Sequence, residues 1–276
     1  MKMALTTLCL NEMEWLPKLY AQHRDWPNLE SWVFVEAADA TYAQINPHLV
    51  SPAGLSVDGT SEWLRDLAKE DSRVKYIPFG LSRHPDPALC KIPARQSYLD
   101  YLENVKPHFF VVLDADEFYC RHDQRLMNDR VSNTPGKYRH FCFGFTHIWH
   151  PQSLASEPLF RYEVVGGFWN IPHTKGVRWD HGLKYTGSHQ RCDLGNDPGR
   201  MCRFPTIKCF HMAFASDPDH RAAKHRYYEG RGEAGSKRDW YVESRKAYEE
   251  YQPNMTRLPR GARVVLYRGP VPEVFA

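Results

Sequence analysis

Residues 109–119 read FFVVLDADEFY. Phe110, Val111, Val112 and Leu113 form a short apolar run rich in β-branched and aromatic residues, the composition of a covered strand. The run stops at Asp114, Ala115, Asp116 and Glu117. Three carboxylates in four residues repel one another, and water or a cation between them relieves the repulsion. Two aspartates one residue apart at a strand end can both reach one hard divalent ion, and Mg²⁺ or Mn²⁺ favours such oxygen ligands. An acidic turn after an edge strand would carry the same letters, so the flanking sequence decides between the two.

Working back from this stretch, residues 94–105 have Tyr98, Leu99, Tyr101 and Leu102 spaced for one buried helix face. Strands are expected over residues 3–10, 32–35 and 74–79, with helices over 12–24 and 61–69, the latter capped by Thr60. Strand and helix alternate, which predicts an α/β fold: a largely parallel sheet with helices on both faces. Ligands of such sheets bind outside the carboxyl ends of the strands. Asn11, Glu12, Glu36, Asp39, Asp114 and Asp116 all fall at those expected ends. Beyond residue 120 the pattern loosens. A helix is expected over 124–131, strands over 138–149, 206–214 and 264–267, and helices from Ser216 to about Glu229 and over Trp240–Tyr251. Residues 150–205 are rich in Gly, Pro, Trp and His without clean periodicity, a composition suited to one side of a cleft.

The 276 residues suit one α/β domain with extensions. Net charge is only +3 but unevenly spread. Residues 1–120 hold 11 Lys and Arg against 17 Asp and Glu, whereas 121–276 hold 25 against 16 and ten of the fourteen His. The basic half suits an anionic partner such as a sugar nucleotide, an acidic glycan, a membrane surface or nucleic acid. Seven scattered Cys argue for a reducing compartment rather than a disulfide framework. No apolar run approaches the ~20 residues of a membrane span, and the chain reads as a cytoplasmic protein.

Some motifs mislead. Gly230-Arg-Gly232-Glu-Ala-Gly235 follows an expected helix rather than a strand, against a dinucleotide loop. Cys202, Cys209 and His211 lack the C-x-x-C pair of a zinc site.

Four stretches together resemble the GT-A glycosyltransferases of the broad family-2 type. They are TTLCLNEMEWLP (6–17), WVFVEAAD (32–39), KIPARQSYLDYL (91–102) and FFVVLDADEFY, in the order and spacing of that family. The resemblance covers roughly residues 3–120. VRWDHGLKYTGSHQ (177–190) and FHMAFASDPDHRAAKHRYYEGRG (210–232) are similar, more loosely, to later segments of one subgroup. It implies a Rossmann-like GT-A fold in which 1–120 forms the nucleotide-sugar-binding half and 121–276 the acceptor-binding half with C-terminal helices.

It further implies a Mn²⁺- or Mg²⁺-dependent transfer of a sugar from a nucleotide donor, most simply a UDP-sugar, to a hydroxyl, with inversion. The acceptor would be a glycan or lipopolysaccharide intermediate, or a hydroxymethylated base in DNA. Thr7, Asn11 and Glu36 would meet the nucleoside, with Glu36 or Asp39 accepting hydrogen bonds from uracil or ribose, and Glu12 would belong to the same donor-binding set. Lys91 and Arg95 would face the diphosphate or the base edge. Asp114 would bind ribose or the metal and Asp116 the metal, with His211 as candidate third ligand. Lys224 and Arg226 would neutralise the leaving diphosphate. Gln190 stands where relatives carry Glu and cannot act as a base, which leaves Asp180 and then His189 as candidates for that role. Two other classes remain open: a sugar-phosphate nucleotidyltransferase, against which the missing glycine-rich phosphate loop counts, and a non-catalytic nucleotide-sugar-binding domain.

Overall fold

The structure is a computed structural model that describes residues 1–150, 156, 158–165, 173–186, 192–193, 200–215, 217–230 and 263–276. His189, Gln190, Ser216 and the expected helix over Trp240–Tyr251 lie outside the described residues.

In chain order the first half comprises β1 (Met3–Cys9), α1 (Leu16–His23), β2 (Leu29–Asp39), α2 (Ala40–Ile45), α3 (Thr60–Glu70), β3 (Val74–Ser82), α4 (Ile92–Val105), β4 (Phe109–Val112) and β5 (Glu117–Tyr119). The second half adds α5 (Arg121–Ser132), β6 (Tyr138–Trp149), β7 (Tyr162–Val165), β8 (His173–Arg178), β9 (Lys184–Tyr185), β10 (Cys192–Asp193), β11 (Arg200–Phe214), α6 (Pro218–Gly230) and β12 (Arg263–Leu266). The large sheet runs β12-β7-β6-β8-β4-β1-β2-β3, with β11 beside β6 and β5 beside β11. Strands β1 to β4 are mutually parallel, and β11 is parallel to β6. Strand β8 runs antiparallel between β4 and β6, so the sheet is mixed but mostly parallel, as the alternation of elements predicts.

The four residues of β4 are fully buried, because helices cover both faces of this central strand. Its side chains alternate between two cores. Phe110 and Val112 join Ala94, Tyr98, Leu99 and Leu102 of α4. Phe109 and Val111 join Leu16 and Leu19 of α1 and Leu64 and Leu67 of α3 on the other face. The hydrogen bond from Leu113 N–H to Thr6 O extends the pairing one residue past β4, carrying Asp114 to the carboxyl rim.

Strand β11 begins six residues before its expected start at 206 and β3 runs three residues past 79, and three further differences bear on the rim. Strand β2 continues through Glu36 and Asp39 rather than ending before them, since Ala37, Ala38 and Asp39 pair with Gly80, Leu81 and Ser82 of β3. Helix α1 starts at Leu16, four residues late: Asn11 turns the chain through a left-handed conformation (φ 55°), and Pro17 sits in the first turn, where a missing N–H costs nothing. Gly59, not Thr60, is the cap residue of α3, at φ 94°, and Thr60 is already helical.

Candidate active site

The turn after β4 is braced from several sides. Asp114 O accepts Glu117 N–H at 3.1 Å, the Glu117 carboxylate accepts Asp114 N–H at 3.0 Å, and Asp116 O accepts Met212 N–H of β11 at 2.9 Å. This fixes the two aspartates on opposite sides of the turn.

Asp114 faces α4 and β8. Lys175 of β8, only 2 % exposed, donates to Asp114 Oδ2 at 3.0 Å and reaches Glu117 Oε1 at 2.6 Å. The Arg95 guanidinium lies 3.7 Å from Asp114 Oδ1. Burial alone would raise the Asp114 carboxyl, but Lys175 and Arg95 hold it well below the usual carboxylate range. Burial likewise opposes the charge on Lys175, and the two carboxylates more than restore it. Arg95 is buried, and among the described residues its Nε and one terminal nitrogen have no hydrogen-bond partner.

Asp116 faces β11 and α6. Its Oδ2 lies 3.4 Å from His211 Nε2 and 4.0 Å from Lys224 Nζ. Burial again opposes the charge, and His211 and Lys224 hold the carboxylate ionised. Lys224, whose side chain is 40 % exposed, keeps its charge against burial through Asp116. Beside them Glu12 approaches His220 Nε2 at 3.8 Å. Burial, then the charge of Asp116, pushes the Glu12 carboxyl up. Burial lowers the His220 imidazole.

The rim therefore brings together Glu12, Arg95, Asp114, Asp116, His211 and Lys224, from the turn after β1, α4, the β4–β5 turn, β11 and α6. Lys91 is the cap residue of α4, half-buried, one helical turn before Arg95.

Other expected residues are engaged elsewhere. Thr7 is fully buried and accepts the Trp32 indole N–H at 3.0 Å. Glu36, also fully buried, accepts from Ser56 N–H, the Ser61 hydroxyl and the Tyr76 hydroxyl. Asn11 braces its turn through Leu49 O, Val57 N–H and the Ser56 hydroxyl. Asp39 caps α2 by accepting from Thr41 and Tyr42 N–H, and it receives the Tyr227 hydroxyl of α6 at 2.7 Å. Arg226 donates to Asn46 Oδ1 at 3.0 Å.

Asp180 does not belong to this rim. Arg178 pairs with Phe109 at the amino end of β4, and Trp179 N–H bonds His108 O. Asp180, 52 % exposed beside Arg139, thus lies beyond the opposite end of the strand. With strand rise near 3.3 Å per residue, that is roughly 20 Å from Asp114. The antiparallel direction of β8, invisible in composition, is the physical reason.

The triad Asp114, Asp116 and His211 also divides. Among the described residues no group of three His, Cys, Asp or Glu side chains is arranged to hold a metal. Asp114 is turned to Lys175, whereas Asp116 and His211 form a pair. That donor set fits a Mg²⁺ or Mn²⁺ ion that takes one or two protein ligands and completes its shell with phosphate oxygens and water. The sequence reading missed Lys175 and His220. The only signal for Lys175 is a lysine sharing strand parity with the buried Val177 in a short run, HTKGVR.

By sequence, no family model and no curated protein matches the chain. By structure, it is similar to S. aureus TarS residues 1–349 in complex with UDP-GlcNAc, at 12 % identity and a TM-score of 0.46, covering 92 % of this chain and 74 % of that one. It is similar to the mannosyltransferase PcManGT of Pyrobaculum calidifontis, in complex with GDP-Man and Mn²⁺, at 13 % identity and a TM-score of 0.43, covering 85 % and 65 %. A 4-diphosphocytidyl-2C-methyl-D-erythritol synthase is also similar, at 11 % identity and a TM-score of 0.36, covering 64 % and 75 %.

Proposed function

We propose that the chain is a divalent-metal-dependent glycosyltransferase that moves a sugar from a UDP-linked donor to a hydroxyl acceptor by a single inverting displacement. The observation that carries this reading is the placement of Asp116 between His211 and Lys224 at the carboxyl rim of a mostly parallel sheet. One ionised carboxylate, one imidazole and one ammonium suit a diphosphate and its ion. Asp116 and His211 would hold the ion, which when bound supplies positive charge to the departing diphosphate. Lys224 adds a fixed cation on the same side, so charge developing on the leaving group meets a preorganised field. Asp114, pinned by Lys175 and flanked by Arg95, would accept hydrogen bonds from donor hydroxyls rather than ligate the ion. The base that deprotonates the acceptor would come from the second half of the chain. Asp180 is set aside by its position on the far rim.

The acceptor we favour is a glycan or lipopolysaccharide intermediate. The excess of Lys and Arg after residue 120 makes a hydroxymethylated base in duplex DNA the competing acceptor. Duplex binding that falls steeply with salt would favour it, and no duplex binding would remove it.

The donor reading is tested by thermal shift with UDP, with and without Mn²⁺. A ligand at a hundred times its Kd stabilises by about 2.7 kcal/mol. A Mn²⁺-dependent shift that is absent in Asp116→Ala is expected. A chain that ignores UDP and Mn²⁺ would defeat the reading, and pyrophosphate release from UTP plus a sugar phosphate would replace it with nucleotidyl transfer.

A further inference from the structure

A second histidine stands behind His211. Strands β6 and β11 run parallel with His147 opposite His211. The two imidazoles meet edge to face, with ring centroids 4.9 Å apart and planes at 77°. Their Nδ1 atoms are 2.8 Å apart, a hydrogen bond in which one ring donates and the other accepts. His147 is buried, 4 % exposed, on a strand flanked by neighbours on both edges, so its ring is held by rigid elements. His211 turns its other nitrogen, Nε2, toward Asp116 Oδ2.

This geometry ties the direction of the buried hydrogen bond to the chemistry at the rim. If His147 donates, His211 must carry its proton on Nε2, and the face toward Asp116 presents an N–H. If His211 donates from Nδ1, its Nε2 presents a lone pair beside the carboxylate. Only the second arrangement gives a cation two acceptors at once. A ligating histidine almost always donates its remaining ring N–H to an acceptor, commonly a carboxylate, a backbone carbonyl or water, which sets the tautomer and the ring orientation; the His147 imidazole stands in that acceptor position.

We propose that His147 is a positioning residue: by accepting the Nδ1–H of His211, it keeps His211 in the tautomer whose Nε2 lone pair faces Asp116 and so builds the divalent-ion site. The inference rests on the metal-dependent reading above, and it adds a residue that no sequence motif marks. His147 touches neither ion nor substrate; its action passes through His211.

The test measures Mn²⁺ affinity directly, from the electron paramagnetic resonance signal of free Mn²⁺ titrated with protein and UDP. His147→Leu, which keeps bulk but removes the acceptor, should weaken Mn²⁺ binding about 10–100-fold. His147→Asn, whose amide oxygen can stand near the Nδ1 position, should stay within about threefold of the parent by the same logic. His211→Ala should weaken binding at least as much as His147→Leu. A readout independent of variant folding comes from ¹⁵N-histidine correlation spectra of the parent chain with Mg²⁺ and UDP, where His211 should carry its proton on Nδ1. If the parent binds Mn²⁺ and His211→Ala loses it while His147→Leu does not, or if the spectra place the His211 proton on Nε2, the assignment to His147 is overturned and the donor-site reading stands. If the parent chain itself binds no Mn²⁺ with UDP, the donor-site reading falls and takes this inference with it.

Discussion

Replacing Lys175 with methionine should cost the protein a large fraction of its stability, about 3–5 kcal/mol. The ammonium lies 2.6 Å from Glu117 Oε1 and 3.0 Å from Asp114 Oδ2. At an effective dielectric of ~20 each contact corresponds to an attraction of about 5–6 kcal/mol. Returning the lysine's desolvation cost takes back several kcal/mol, because burying an ammonium is expensive in itself. What remains is the penalty for leaving carboxylates buried without a counter-ion, about 3–5 kcal/mol when one partner of such a pair is removed. Asp114 is partly relieved, being 32 % exposed with Arg95 nearby, but Glu117 is 3 % exposed, and burial already pushes its carboxyl up against the pull of Lys175. Since whole domains are stable by only about 5–15 kcal/mol, the loss is a large fraction of the total.

Urea unfolding of the parent, Lys175→Met, Glu117→Gln and the double variant gives the comparison. Glu117→Gln alone should cost about 1–3 kcal/mol: Lys175 keeps Asp114, but the single amide oxygen can accept from only one of Asp114 N–H and the Lys175 ammonium. The double variant should recover at least about 2 kcal/mol over Lys175→Met, because an apolar and a neutral side chain no longer confront a buried charge. A loss below about 1 kcal/mol in Lys175→Met, or a double variant no more stable than the single, would refute the claim that this lysine compensates a buried charge.

Two further outcomes follow from the same geometry. His23 is fully buried; its Nδ1–H donates to Leu19 O and its Nε2 accepts Tyr119 N–H, so protonation sets a hydrogen against a donor, and burial pushes its pKa down to about 4. The unfolded chain then binds more protons between pH 4 and 6.5, so stability should fall as pH drops through that window, by up to about 3 kcal/mol; urea midpoints that stay flat, or a slope unchanged in His23→Gln, would refute this. Asp180→Asn should leave the Mn²⁺-dependent UDP shift unchanged and transfer within about twofold, and a loss of more than tenfold would mean that the far rim takes part in the chemistry.

Periodicity carried most of the fold. The alternation of strands and helices up to residue 113, the burial of residues 109–112 and the parallel order of the first four strands are local patterns that survive folding. The candidate site was legible where a strand end delivers its own residues, at Asp114, Asp116, Glu12 and, on the late strand, His211, and through the family resemblance at Arg95 of α4 and Lys224 of α6. Glu36 and Asp39 carried the same signal of an acid at a strand end, yet both are consumed by neighbours. Three groups donate to Glu36 from distant elements, and Asp39 is shared between the start of α2 and Tyr227. Whether a carboxylate is spare depends on donors that lie tens of residues away. No window of sequence contains that information.

The same limit separates the two aspartates of the D-x-D. One residue apart, they look interchangeable, and strand parity would even place them on one face. The tight turn at residues 114–117 breaks that parity, and sheet order does the rest. Strand β8, inserted antiparallel between β4 and β6, brings Lys175 to Asp114, while β11 and α6 bring His211 and Lys224 to Asp116. One carboxylate is thereby neutralised by a buried side chain of the protein itself. The other is held ionised beside an imidazole, where an ion and its phosphate can complete the charge balance. Substitution should expose this asymmetry. Asp114→Asn removes a partner of Lys175 and Arg95, which strengthens the demand on Glu117 and shows first in stability. Asp116→Asn leaves Lys224 without its counter-charge and His211 without its carboxylate neighbour, and shows first in Mn²⁺ and UDP binding. Equal effects of the two substitutions on both measurements would mean that the pair acts as one metal clamp after all.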